Sequence, residues 1–261
     1  MKQNLREFYR YRELLFTIAY RDIKVRYKQS VMGILWAVLM PILIVLSGVV
    51  VRYAYTLAAH SALRTADIAD IAVKSLPWAF LVSSIRFGCN SLITNRDLVT
   101  KVYFPKEIFP LAAVLSSFFD LAIASIALFV LLLILGIGWG IYLLWIPLLL
   151  LAMVSIASGA SMLLSAASLF FRDVKFLVEV FLTFGIFFTP VFYDIRMLGK
   201  KGEWLLLNPA ASIIECFSTS IVHHQSPQLP WLIYSCVVGG LMFVIGYMFF
   251  KYLEPAFAES I

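Results

Sequence analysis

Apolar and polar positions along this chain fall into long blocks. No charge occurs between Val31 and Val51, and about 20 apolar residues are enough to cross roughly 30 Å of hydrocarbon. The block predicts a membrane-spanning helix over 31–51. A second is predicted over 75–95, where the single charge is Arg86, and a third over 108–135, where it is Asp120. Leu121 to Phe171 holds no charge at all, which is the end of one span and the whole of another. The glycine cluster Gly136-Ile137-Gly138-Trp139-Gly140 supplies the turn between them, and a fourth span follows over 142–170. A fifth is expected over 176–193, although only Val180 to Tyr193 is free of charge. The run 204–221 carries Asn208-Pro209 and Glu215. Broken backbone at membrane depth must be covered by protein or line a water-filled cavity, so this run reads as a re-entrant or interfacial segment. The last span is 231–250. The expected fold is one all-α integral membrane domain over 1–261 with six transmembrane helices.

Before the first span the pattern changes. Gln3, Arg6, Arg10, Glu13, Thr17, Arg21, Lys24 and Lys28 recur every three or four residues, which on a helix is one polar stripe. Leu5, Phe8, Leu15, Ala19 and Ile23 lie broadly opposite. An amphipathic helix over 4–29, lying in a lipid headgroup layer, is expected. Arg12, Asp22 and Arg26 interrupt its apolar face, where part of the helix packs on protein. A simple basic anchor is the plainer reading. Lysines and arginines of the N-terminal segment, the 96–106 loop, the 172–175 turn and the tail outnumber those of the opposite side, namely Arg52, Arg64, Lys74, Arg196, Lys200 and Lys201. The positive-inside rule then puts both termini in the cytoplasm.

Composition closes off other classes. Hydrophobic residues make up 62% and charged ones 14%, with a mean hydropathy of +0.92; soluble domains are nearer half and a quarter. Neither a soluble fold nor disorder fits. The net charge of +6 sits in residues flanking apolar runs, which excludes a nucleic-acid-binding face. The first apolar run is longer than a signal-peptide core, so no cleavable signal is expected. Cys89, Cys216 and Cys236 are too scattered for a disulfide framework or a zinc site. His223 and His224 have no partner at metal-ligand spacing and read as a solvated loop. No protease, hydrolase or P-loop motif occurs. No catalytic residue, metal or cofactor is expected in this chain, and any ATP hydrolysis must come from a partner.

Candidate chemistry lies in three places. Ionisable residues inside a membrane are functional candidates, and Arg86 either meets an anionic substrate group or pairs with Asp120. The loop 96–106 mixes charge with Leu98, Val102, Tyr103 and Phe104, which suits docking to a cytoplasmic partner, or an interfacial aromatic anchor. The aromatic stretch 184–193 holds Phe187, Phe188, Phe192 and Tyr193. Such faces offer sugar rings an apolar surface; lipid-facing filler is the alternative.

Several motifs resemble the polysaccharide-exporting ABC permeases, which export O-antigen, capsule or teichoic-acid chains. They are Arg21-Asp22 through Arg26-Tyr27 to Gly33 and Trp36, then Pro41; Asn90-Ser91-Leu92-Ile93; Val102 to Ile108 with Pro110; Phe170 to Val174; Thr189 to Tyr193; Asn208-Pro209; and Phe257-Ala258-Glu259. Loop 54–74 and the patch 194–203 match nothing in that pattern. The resemblance implies a homodimer in the inner membrane, with two copies of an ATPase subunit that bind ATP and Mg. It implies a coupling helix seated in the ATPase, formed here by Arg96, Asp97, Leu98, Lys101, Val102, Tyr103, Phe104, Pro105, Lys106 and Glu107. It implies a polysaccharide on a lipid diphosphate as substrate. Lys24, Arg26 and Lys28, nearest the bilayer, are then placed to guide the diphosphate, with Arg86 receiving it deeper. An ABC exporter of a smaller lipid or drug is the rival reading; a membrane glycosyl- or phosphotransferase lacks the clustered carboxylates or histidines it needs.

Overall fold

The computed structural model describes residues 10–28, 30–58, 60 and 62–257, and of 196–198, 200 and 201 the backbone only. Gln3 and Arg6 of the expected stripe, Leu5 and Phe8 of the face opposite, Gln29, and Ala258-Glu259 of the tail motif lie outside the described residues. All regular structure among the described residues is helical.

Helix α1 runs Arg12–Lys28. The chain turns at Gly33, with φ +53°, into α2, Leu35–Ala58. Next come α3, Thr65–Thr94, the short α4, Arg96–Lys101, and α5, Ile108–Ile134. The turn expected at the glycine cluster is present, with Gly136 at φ +70°. A 3₁₀ turn, Ile141–Trp145, leads into α6, Ile146–Phe170. Then follow α7, Val174–Gly185, and α8, Pro209–Ile221, with 3₁₀ turns Ile186–Phe188 and Ile195–Leu207 between them. Helix α9, Leu229–Leu253, closes the bundle.

Five of these are long and apolar enough to cross a membrane: α2, α3, α5, α6 with its 3₁₀ lead, and α9 with its 3₁₀ tail. The fifth expected span is shorter than 176–193 required. Helix α7 has 12 residues, about 18 Å at 1.5 Å per residue. The segment expected over 204–221 is the end of a 3₁₀ stretch followed by a helix that starts only at Pro209. Asn208 is its N-cap, its side chain accepting from the Ala210 N–H at 3.1 Å, and Pro209 sits in the first turn, where no N–H is needed. Its 13 residues, about 20 Å, are too short to span.

Helix α3 is the centre of the bundle and α2 its loosest member: the most apolar stretch of α3 is 72% buried and that of α2 only 17%. Small residues explain the tight contacts of α3 and α6. Ser161 Oγ donates to the Ser84 carbonyl at 3.0 Å, Ser168 Oγ to the Cys89 carbonyl at 2.6 Å, and Ser91 and Ser165 lie 3.1 Å apart. Between α6 and α9, a Cβ on Gly246 would meet the Gly159 carbonyl, and one on Gly159 the Met242 carbonyl. Without a hydrophobic drive between helices in lipid, close backbone approach and interhelical hydrogen bonds supply the association. Buried residues form two clusters. One, at the α4 end, joins Ile18, Leu92, Val99, Phe104, Phe109, Met162, Phe250 and Phe257. The other, toward the far end, joins Val73, Met153, Val191, Ile213, Phe217 and Leu232.

Candidate functional site

The α4 loop divides into an outward and an inward half. Arg96, Asp97, Leu98, Lys101, Val102 and Tyr103 are exposed, Tyr103 completely. Lys101 and Asp97 pair at 3.0 Å, which lowers the Asp97 carboxyl below its ordinary pKa. Phe104 corrects the expectation that it faces a partner. It is buried in this chain's own core, its ring centroid 5.4 Å from that of Phe109. Pro105 and Lys106 are half-buried, and Glu107 is buried. Burial pushes the Glu107 carboxyl up, against the pull of Lys251, whose Nζ lies 2.8 Å from Oε2. Lys251 also holds Glu254 at 2.9 Å, and Glu254 Oε1 accepts from the Lys106 N–H at 3.1 Å. The C-terminal end of α9 therefore clamps the loop. From the other side Arg21 Nη2 donates to Asn95 Oδ1 at 2.6 Å, tying α1 to the start of α4.

Of the expected polar stripe, Arg10 just before α1 and Glu13, Thr17, Lys24 and Lys28 are exposed while Arg21 is half-buried, with Ala19 buried opposite. Arg26 leaves the other two candidate guides and turns into the bundle. It pairs with Asp120 of α5, donates to Ser116 Oγ at 3.2 Å and lies 3.9 Å over the Phe87 ring. Tyr27 donates to the other Asp120 oxygen at 2.7 Å. Burial, reinforced by that carboxylate, pushes the Tyr27 phenol up to about 12, so it remains a donor. The expected alternative of an Arg86–Asp120 pair is thereby corrected: Asp120 is held by α1, and Arg86 pairs with Glu179 of α7, Nε lying 2.7 and 3.0 Å from the two carboxylate oxygens. Both arginines line one cavity of about 540 Å³ between α2, α3, α5 and α7, with Trp36, Trp78 and Phe87. That volume is in the range of small-molecule sites.

The aromatic stretch separates in the same way. Phe187 and Phe188 are exposed. Phe192, expected beside them, packs against Gly48 of α2 and the far-end core. Tyr193 is half-buried and donates to the Phe187 carbonyl at 2.9 Å. His224 also departs from a solvated loop: it is half-buried against Gly138 and Gly140. No group of metal-ligating side chains occurs among the described residues.

One cluster was not foreseen. Lys74, 1% exposed, lies 3.0 Å from Asp70 and 2.8 Å from Glu215 of α8. Ser218 of α8 donates to the other Asp70 oxygen. The signal was in the sequence, as Asp70 and Lys74 stand four apart, one helical turn. Placing the start of the span at residue 75 put both in a loop.

The pattern of the ABC-2 type transporter family matches residues 13–222. Among curated proteins the chain is 28% identical over 264 residues to the O-antigen export system permease protein RfbA of Myxococcus xanthus, covering 98% of each. It is 27% identical over 265 residues to a protein of the same name from Klebsiella pneumoniae, covering 99% of this chain and 98% of the other. The family pattern takes in α1 through α8, from the N-terminal helix past the α4 loop to the far-end helix, and on that extent the chain belongs to the ABC-2 type transporter family.

Proposed function

We propose that this chain is the membrane-spanning subunit of an ATP-driven exporter that moves a lipid-linked polysaccharide out across the cytoplasmic membrane. It acts as a homodimer, with two copies of a P-loop ATPase that supply the ATP and Mg. The observation that carries the reading is similarity along almost the whole chain to permeases named for O-antigen export. The geometry supports it. A loop clamped from both sides by α1 and α9 presents Leu98, Val102 and Tyr103 outward, which suits rigid docking of a motor domain. Phe104, Pro105, Lys106 and Glu107 set the loop's position from within.

The packing also supports six crossings. The end of α6 lies by the α4-end core and Val191 in the far-end core, so the stretch between them, built on α7, passes through the layer. Helix α8 then returns only part-way, as a re-entrant segment does. With α1 and the end of α9 on the α4 side, both termini are cytoplasmic. Lys24 and Lys28 meet the lipid diphosphate at the surface, where each charge contributes about 1 kcal/mol near an anionic membrane. Arg26 and Arg86 stand further in. Phe187, Phe188 and Tyr193 lie along the glycan's path.

The test is export in cells that supply a lipid-linked glycan. Co-expression of this chain with a candidate ATPase partner is expected to bring the polymer to the outer surface. Deleting either subunit is expected to leave it inside. Polymer reaching the surface without this chain contradicts the reading.

A further inference from the structure

A second cavity, of about 440 Å³, lies directly beyond the first, between α2, α3 and α5. The two share Pro41, Leu76 and Ala124 as lining. Together they follow the inner side of α2 from Trp36 to Val49, about 20 Å at 1.5 Å per residue. Their chemistry is one-sided. The first chamber holds Arg26, Arg86 and Asp120, while no polar side chain lines the second. Its rim includes Ile42, Leu46, Val130 and Ile134, which are exposed, so the slot is open along one flank to the bilayer.

From this geometry we infer that the space behind α2 is a binding slot for one long-chain lipid phosphate, its chain along α2 and its headgroup on Arg86. A drug-sized ligand would fill one chamber, and a second copy of the chain would leave two arginines facing an apolar neighbour. A lipid with an anionic head matches both ends. The two arginine pairs are unequal. Arg26 is fixed by Asp120, with Tyr27 on the same carboxylate, and its side chain is 19% exposed. Arg86 and Glu179 are 41% and 44% exposed and meet through Nε alone. A guanidinium carries five donors in a fork that fits phosphate as well as carboxylate. Glu179 holds the place a phosphate takes; when the headgroup arrives, Glu179 turns out to water and Arg26–Asp120–Tyr27 remains as the wall. The inference deepens the proposed function, naming where the carrier lipid sits, and rests on it for the cargo.

The test uses the full chain in nanodiscs of phosphatidylethanolamine and phosphatidylglycerol, with a C20 prenyl diphosphate carrying a diazirine at the chain end. Photolabelling is expected at slot residues such as Val45, Val49 and Ala72. A C10 probe is expected to reach only Met40 and Leu76. Glu179→Gln removes the competitor for Arg86 and is expected to raise labelling several-fold at a subsaturating probe concentration. Arg86→Gln is expected to lower it about tenfold or more, the scale of a hydrogen bond to a charged group. A merely structural ion pair would make both variants bind worse. Ala127→Phe fills the second chamber and is expected to abolish labelling there; the C10 and C20 comparison needs no variant. Labels confined to outward residues such as Leu43, Val50 and Tyr53 overturn the proposal. So does lower labelling in Glu179→Gln, equal labelling by the C10 and C20 probes at Val49, or inorganic pyrophosphate displacing the probe as well as unlabelled prenyl diphosphate. Disulfides between copies through cysteines at 46 and 134 would put the second copy in the slot and also overturn it. Labelling is read without transport, so its failure leaves the exporter reading standing, and failed export with intact labelling affects only that reading.

Discussion

Tyr103 and Phe104 are neighbours in opposite environments. Tyr103 is fully exposed and Phe104 is buried against Phe109. Hydropathy cannot separate them, because both are aromatic and the turn that decides which faces inward is set by the α9 clamp on Lys106 and Glu107. Tyr103→Ala is expected to leave the melting temperature unchanged and to weaken ATPase association about tenfold or more, the scale of an exposed aromatic anchor. Phe104→Ala is expected to lower stability by about 3–5 kcal/mol through a cavity in the core. Co-purification and thermal melting of the two variants check this; the opposite assignment would restore Phe104 as the docking residue. Lys74 is the other residue the sequence obscured. Charges at 67, 70 and 74 made the first turns of α3 look like a loop, because hydropathy counts a charge without its partner. In the structure Lys74 pairs with both Asp70 and Glu215. Lys74→Met leaves two buried carboxylates uncompensated, and breaking a buried pair this way costs about 3–5 kcal/mol. Thermal unfolding in detergent is expected to show a drop of that order, largely recovered in Asp70→Asn/Lys74→Met/Glu215→Gln.

The long elements were legible because each buries or exposes a run with one dominant character. Helix α5 matches its expected span 108–135 within a residue, and the glycine turn before α6 follows from the conformation Gly136 adopts. The bounds of the short elements were less legible. The region of α7 is expected as a span over 176–193 and that of α8 as a re-entrant or interfacial segment over 204–221, but their positions depend on tertiary contacts such as Glu179 at the middle of α7 with Arg86 and Ser212 in the first turn of α8 with the Leu206 carbonyl at 2.6 Å. The approach of α6 to α9 could have been found from the glycines at 159, 239 and 246, since small residues at helical spacing mark close packing in lipid. Gly159→Leu forces the side chain into the Met242 carbonyl. It is expected to separate these two helices and strip the variant from the membrane fraction as misassembled protein. Gly240→Leu, where a Cβ meets nothing within 4 Å, is expected to accumulate normally. Membrane abundance by quantitative blotting compares the two directly.

At the scale of the whole molecule, one chain leaves a surface that lipid alone cannot cover. Helix α7 presents Leu177, Val180, Phe181 and Phe184 outward on one face, Phe188 of the following 3₁₀ turn continues it, and that stripe would suit acyl chains. Its backbone does not. The helix ends at Gly185 and passes through a 3₁₀ turn and the Thr189-Pro190 bend after about 18 Å, well within roughly 30 Å of hydrocarbon. Irregular backbone at that depth persists where protein or an aqueous path lies beside it. Thr189 and Pro190 are buried within the chain itself, so the part of this turn left open is Phe187-Phe188; a second copy of the chain, set so that the two α7 stripes face one another across a shared path, is expected to cover it. The exposed Phe187 and Phe188 would then line that path instead of greasing the bilayer. Cysteines at Phe181 and Phe184 in a background without Cys89, Cys216 and Cys236 are expected to form disulfide-linked dimers in native membranes. A cysteine at Leu43 on the exposed side of α2 serves as the control and is expected to stay monomeric. If the α7 cysteines instead remain monomeric and are labelled by lipid-soluble maleimide as readily as the one at Leu43, α7 faces lipid and the dimer is built through another face.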